Sequence, residues 1–365
     1  MPLAPHTRTM YDRLAELSLA VDEYALSAAS LDTSSGFTRV STTVELSGDG
    51  ETGRGEDVTY EADDQTALQE AHAAGTLGWD LAGSYTVDSF SAALAERDLF
   101  PDPPSREGFR NYRRWALESA ALDLALRQAD TDFGAVVGRG YDPVRFVVST
   151  RLDTGDEPST DRVHGWLDVD PSLEFKLDPT PAWDGDLLAD LAATDRVRIL
   201  DFKHYYEGTG VDAAPDADLC RRAAEAFPEA VLEDVKLTDE TRAALDGAED
   251  RLSWDYPVTG IESVRALPIE PRWLNVKPSR FGTVESLLDT VEYCLDRDIR
   301  LYGGGQYELG VGREHLHALA ATFYPDAPND VAPRAYNAPE PHADVPASPL
   351  DPPADPAGLD WEGAA

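Results

Sequence analysis

The sequence predicts an α/β protein: a (β/α)8-type barrel preceded by an N-terminal α+β domain. Three observations carry that expectation. The patterning changes near residue 140; from residue 144 short apolar runs alternate strictly with amphipathic helical stretches; and the chain's four lysines, Lys176, Lys203, Lys236 and Lys277, each fall near the end of one such run.

Residues 1–140 read as α+β. Segments 18–27 and 38–47 alternate polar and apolar residues as antiparallel strands do, and Ser47-Gly48-Asp49-Gly50 supplies a turn. Asn111 to Ala129 is a helix, with Trp115, Leu117, Ala121, Leu122 and Leu126 recurring at helical spacing. Residues 141–337 carry strands near 146–149, 174–177, 198–202, 230–235, 252–255, 273–277, 300–303 and 329–332. Helices such as Leu187 to Ala193, Leu219 to Phe227 and Val284 to Leu295 separate them. Strict alternation of this kind implies parallel pairing, and a closed barrel is the commonest way to finish eight such units. Residues 338–365 are rich in Pro, Ala and Asp with one Trp361, and read as a flexible or surface-clasping tail.

Composition narrows the function. Asp plus Glu number 69 against 31 Lys plus Arg, for a net charge of −38. This balance argues against nucleic acid or anionic membrane as a partner, because an excess of phosphate-neutralising cations is missing. Self-repulsion of this size is screened in strong salt, where the Debye length falls to about 3 Å at 1 M. Acidity with scarce lysine points to a high-salt cytoplasm, with an acidic interaction protein as the alternative. Cys220 and Cys294 fall in helical segments and suggest neither a disulfide nor a zinc cluster. No apolar run is long enough to span a bilayer, and residues 1–5 do not read as a signal peptide.

The strand ends carry the chemistry. In a parallel barrel they open on one common mouth, and residues i and i+2 face the same way. Asp201, Glu233 and Asp255 take corresponding places on the third, fourth and fifth strands, one β/α unit apart. Three convergent carboxylates are the ligand set of a Mg2+ (or Mn2+) that keeps sites open for water or substrate. Lys277 ends the sixth strand in Asn275-Val276-Lys277-Pro278-Ser279-Arg280-Phe281-Gly282, and the seventh runs into Tyr302-Gly303-Gly304-Gly305-Gln306-Tyr307-Glu308.

In these segments the chain resembles the enolase superfamily, in particular its muconate-cycloisomerase-like branch of o-succinylbenzoate synthases and dipeptide epimerases. Gly53-Arg54-Gly55-Glu56 is similar to the family's G-x-G-E turn, and Ala116-Leu117-Glu118-Ser119-Ala120-Ala121-Leu122-Asp123 to its A-x-E-x-A-x-x-D helix. The resemblance implies a modified (β/α)8-type barrel under an N-terminal α+β capping domain. It implies Asp201, Glu233 and Asp255 as metal ligands, Lys277 as the strand-six lysine and Glu308 as the acid after the glycines. It also implies a small-molecule carboxylate substrate, with substrate choice set partly by a cap loop near residues 30–37.

Two departures stand out. Relatives carry K-x-K on strand two where this chain has Lys176-Leu177-Asp178, and D-x-N on strand three where it has Asp201-Phe202-Lys203. An ammonium is missing from one strand and present on its neighbour. Lys203 therefore either replaces the lost lysine, with Asp178 as counter-ion, or only neutralises nearby carboxylates. Lys277, Lys203 and Lys176 are the candidate catalytic residues, and Asp178, Gly304, Glu308 and Arg151 the candidate substrate contacts. Arg151 reads as a partner for a second substrate carboxylate or as a surface ion pair. His204, Tyr205 and Tyr206 line the mouth or pack its loop, Lys236 points to the helices, and His315 and His317 read as surface or helix residues rather than bases.

The expected reaction is metal-assisted removal of a proton α to a carboxylate through an enolate, leading to dehydration, cycloisomerisation or epimerisation. A lysine base must be neutral when it attacks, and neighbouring cations favour that form. Two alternatives stay open: a non-catalytic metal-binding relative, and a Schiff-base aldolase using Lys277. Whether the protein is a homo-oligomer is also open.

Overall fold

The computed structural model describes residues 8–33, 37–152 and 157–361. The expectations placed on residues 1–5 and on the middle of the cap loop, residues 34–36, lie outside the described residues.

Alternation in the first part of the chain builds an antiparallel sheet of three strands, Glu23–Asp32, Thr38–Gly48 and Glu51–Asp57. The expected strand 18–27 is divided: Ser18–Val21 pairs instead with Gly83–Thr86. Alternation runs through both pieces, so periodicity could not reveal the change of partner at Asp22. The helix Phe109–Gln128 packs its small residues on the third strand of the sheet. A Cβ on Gly55 would lie 2.0 Å from the Ala116 carbonyl oxygen, and one on Gly53 would lie 2.3 Å from that of Ala120. The two glycines therefore allow strand and helix to approach backbone to backbone. A fully buried ion pair, Arg113 Nε to Asp57 Oδ2 at 2.8 Å, crosses the same interface.

Seven parallel strands follow in chain order: Val148–Thr150, Phe175–Leu177, Val197–Asp201, Val231–Glu233, Leu252–Trp254, Trp273–Val276 and Arg300–Gly303. Most of their residues are buried because helices cover one face and barrel packing fills the other. The helices include Gly185–Thr194, Ala217–Ala226 and Val284–Leu295, close to the expected ranges. The eighth strand is reduced to two bridges. Val147 N–H donates to the Asn329 carbonyl and Asp330 N–H to the Gly303 carbonyl, both at 2.8 Å, which closes the first strand region on the seventh. Pro328 and Pro333 bracket this segment and withhold the donors a longer ladder would use.

The tail is anchored at several points. Leu350 and Val144 exchange backbone hydrogen bonds at 2.8 Å, and Leu350, Leu359 and Trp361 are buried. Among the described residues no helix is long and apolar enough to cross a membrane.

Candidate active site and metal centre

The strand register delivers the acids to one level. Asp201 lies directly beside Glu233, which lies beside Ser253, and Asp255 follows two residues later on the same face. All three carboxylates are fully buried, and one ligand atom from each lies within 4.8 Å of the others. Asp255 Oδ1 is buried without a hydrogen-bond partner, a free lone-pair donor of the kind a divalent cation takes. These residues fit a metal.

Cations surround the triad. Lys176 Nζ lies 2.5 Å from Glu233 Oε1, 3.1 Å from Asp201 Oδ2 and 3.2 Å from Asp330 Oδ2. Lys277 Nζ sits 2.9 Å from Asp255 Oδ2, and Arg280 approaches the same oxygen at 3.3 Å. Lys203, in the left-handed region at φ 59°, turns its Nζ back onto Asp201 Oδ2 and reaches Asp178 Oδ1 at 3.5 Å. Tyr302 donates to Glu233 Oε2 at 2.5 Å and Tyr206 to Asp255 Oδ2 at 2.7 Å.

The electrostatics follow from this arrangement. Burial works to raise Asp201, but Lys176 and Lys203 outweigh it and hold its carboxyl well below the usual range. For Asp255, Arg280 and Lys277 overcome burial in the same way. Glu233 moves up, because its burial is joined by the charge of Asp201. Asp234 is pushed up to about 7 by burial and by Asp255 and Asp201, while it accepts the backbone N–H groups of Asp255 and Tyr256 at 2.9 Å. Burial opposes charge on Lys203, yet Asp178 and Asp201 prevail and raise its pKa.

A cavity of 490 Å³ lies over these groups and is lined in part by Lys176, Asp178, Lys203, Lys277, Arg280 and Arg151. Its wall toward the cap carries Phe37, Tyr60 and Tyr112, with Tyr307 from the barrel. Gln306 Nε2 donates to the Tyr112 hydroxyl at 3.0 Å and joins the two parts of the chain. Buried Glu56 of the G-x-G-E turn accepts the backbone N–H groups of Leu309, Gly310 and Gly312, at 2.6, 3.0 and 3.0 Å. The cap thereby holds the loop after strand seven.

The other candidate residues are placed as follows. Arg151 is ion-paired with Asp178, Nε to Oδ2 at 3.1 Å, at the cavity edge. Gly304 and Glu308 do not line the cavity. A Cβ at Gly304 would fall 2.3 Å from Asn275 Oδ1 and 2.8 Å from Lys277 Cε, so glycine leaves room for both side chains. Glu308 Oε1 accepts the Gln306 N–H at 2.8 Å and braces the glycine turn. Tyr206 reaches Asp255, Tyr205 packs against the core, and His204 lines an adjacent groove, held at about 4 by burial. Lys236 pairs with Glu207 at 2.7 Å, partly exposed. His315 and His317 are helical but not on the surface: both are 1% exposed, and burial holds them at about 4 and about 3.

Several site residues went unassigned in the sequence. Asn275, two residues before Lys277 and so in phase with it, donates to Glu233 at 3.3 Å; the period of two was a usable signal. Arg280 was visible beside Lys277, but nothing local showed that it would turn back to Asp255. Asp330 reaches Lys176 only through barrel closure, which no local pattern reveals.

This arrangement of cap and barrel is the fold of solved proteins of the enolase superfamily. A solved mandelate racemase/muconate lactonizing protein from Herpetosiphon aurantiacus superposes with a TM-score of 0.66 at 18% identity, covering 94% of this chain and 98% of that one. A dipeptide epimerase from Methylococcus capsulatus, complexed with Mg ion, gives 0.63 at 18% identity over 84% and 88%. At these identities the likeness establishes the fold. The protein itself belongs to the DUF8230 family: the model described as domain of unknown function (DUF8230) C-terminal domain matches residues 140–338, and its N-terminal counterpart matches residues 12–136. In sequence the chain is 29% identical over 278 residues to an N-succinylamino acid racemase of Thermus thermophilus, covering 67% of each. It is 41% identical over 61 residues to an o-succinylbenzoate synthase of Listeria innocua serovar 6a, a match that spans 17% of this chain and 16% of that protein.

Proposed function

We propose that this protein is a divalent-metal-dependent enzyme, a lyase or isomerase, that removes the α-proton of a small carboxylate substrate through an enolate. The buried triad with its unpartnered Asp255 oxygen, beside Lys277 in one cavity, carries this reading. Asp201, Glu233 and Asp255 would hold Mg2+ or Mn2+. When bound, the cation would supply Lewis-acid stabilisation of the charge that proton loss leaves on the carboxylate.

Lys277 is the base. Its Nζ engages a single carboxylate, Asp255, which Arg280 shares. Lys176, by contrast, is fully buried against three acids, which suits it to fixing the triad's geometry. Lys203 is the second cation: Asp178 and Asp201 favour its charged form, so it stabilises negative charge in the cavity and does not exchange protons. Asp178 and Arg151 border the substrate space, and Gly304 and Glu308 shape the turn beside it. The cytoplasm of a salt-rich cell is the setting that the acidic composition suits.

The test is deuterium exchange at the α-carbon, read by mass spectrometry in high salt with Mg2+. The panel is dicarboxylates, sugar acids, dipeptides and N-succinylamino acids, the last two chosen from the similar proteins. Exchange that disappears with chelator and in Lys277→Ala supports the reading. Metal binding without exchange from any compound would favour the non-catalytic alternative, in which the lysines merely neutralise the triad. A borohydride-trapped substrate adduct on Lys277 would favour the aldolase.

A further inference from the structure

Asp123 stands in the A-x-E-x-A-x-x-D segment and Trp361 near the end of the tail, and neither contributes to the barrel mouth. In the structure their neighbourhoods meet. Leu359 N–H donates to Asp123 Oδ1 at 2.8 Å. Gly358, at φ +64°, lets the tail approach so closely that a Cβ there would lie 2.1 Å from the same oxygen. Trp361, 1% exposed, packs beside Tyr141 and His317.

Between them Asp360 turns inward. Its Oδ2 pairs with Arg127, while its Oδ1 is buried without a partner. His315, from the helix Val311–Phe323, is 1% exposed, and neither ring nitrogen has a hydrogen-bond partner. One ligand atom each from Asp123, His315 and Asp360 lie within 4.8 Å of one another. Buried polar atoms are almost always satisfied, so the unpartnered His315 nitrogens and Asp360 Oδ1, converging beside the Asp123 carboxylate, call for a ligand.

We propose that Asp123, His315 and Asp360 form a second metal site, which takes a borderline divalent cation such as Zn2+ and ties the tail to the cap helix and the last barrel helix. Arg127 is the cation paired with the cluster; Arg54, which also feels Asp360, is neutralised by Glu45 at 2.8 Å. It takes Asp123 Oδ1 and Asp360 Oδ2, which leaves Asp360 Oδ1 free and the group one negative charge in excess. Asp123 Oδ2 accepts only the Arg54 N–H, at 3.0 Å, and keeps a second lone pair. One imidazole nitrogen with two carboxylate oxygens suits Zn2+, whereas the all-carboxylate triad in the mouth suits Mg2+. None of the three residues lines the mouth cavity, so the ion here is structural.

The experiment is equilibrium dialysis of the full chain against Zn2+ with Mg2+ in large excess, followed by elemental analysis and thermal unfolding. The expected result is one tightly held Zn2+ per chain with a raised unfolding midpoint, unchanged in Asp201→Asn. Binding should weaken at least tenfold in both Asp360→Asn and His315→Asn. Replacing zinc by Co2+ should give a visible absorption band that disappears in the same variants. If His315→Asn fails to fold, Asp360→Asn decides alone, because its side chain is at the tail and keeps its shape. No retained zinc, zinc retained equally in Asp360→Asn, or zinc lost in Asp201→Asn would each overturn the proposal.

Discussion

Strands four to six and strands two to three of the barrel solve the same problem differently. The first group presents Glu233, Asp255 and Lys277 in the order that the family pattern implies, one residue per strand. The second group departs from the pattern that the enolase-superfamily resemblance implies: Asp178 stands in place of a lysine, and Lys203 in place of an asparagine. The left-handed backbone at Lys203 brings the displaced ammonium back to Asp178 and Asp201. Local charge is kept while the strand that supplies it changes. Under the proposed function, the comparison separates what a metal would require, an acid at each of three strand ends, from what can move to a neighbouring strand.

The largest effect should come from the unaltered side. Lys277→Ala should lower α-proton exchange by about a hundredfold to ten-thousandfold, the range for a lost general base, with binding of Mg2+ retained. On the altered side, Lys203→Met should cost about a hundredfold, the low end for removing one group that stabilises developing charge. The double variant Asp178→Lys with Lys203→Asn, which restores the family order, should recover part of that loss. Simple additivity of the two single variants would argue that they do not form one unit.

A smaller effect concerns pH. His315 and His317, held at about 4 and about 3 by burial, titrate near 6.5 when unfolded. Because both are depressed, the unfolded chain binds the extra protons as pH falls below about 6.5, and stability present above that pH is lost. At about 1.4 kcal/mol per unit, each should cost about 2 to 3 kcal/mol by pH 4.5. Carboxyls raised by burial, Glu56, Glu118 and Asp234 among them, take up protons in the same window and act in the opposite sense, so the histidine share is the difference between wild type and a variant lacking the imidazole. Denaturant unfolding with chelator present, between pH 6.5 and 4.5, should show wild type losing about 2 to 3 kcal/mol more than His317→Gln. Smallest of all, Lys236→Ala, a partly exposed pair with Glu207, should change stability by less than about 0.5 kcal/mol and leave exchange unaltered.

The barrel and its acid triad were legible because both depend on local rules. A strand buried on both faces must be apolar, and a period of two places Asp201, Glu233 and Asp255 on the mouth side. The short eighth strand was seen at the right place, but its reduction to bridges depends on two prolines and on barrel closure. Asp330 on Lys176 and the pocket around His315 come from segments joined only by the tertiary fold. The tail shows the same boundary. Its composition suggested a flexible or surface-clasping segment; in the structure Trp361 is 1% exposed, packed beside Tyr141 and His317. A lone aromatic among prolines and aspartates carries no period from which its burial could be read.

The most direct test of the account resolves α-proton exchange by face. Each enantiomer of a substrate found in the panel would be incubated separately in deuterium oxide with Mg2+, using wild type, Lys277→Ala and Lys203→Met. If Lys277 is the base and Lys203 a fixed cation, one enantiomer alone exchanges. That exchange vanishes in Lys277→Ala and falls in Lys203→Met. Comparable exchange of both enantiomers, with each lysine variant abolishing one of them, would contradict it and make Lys203 a second base.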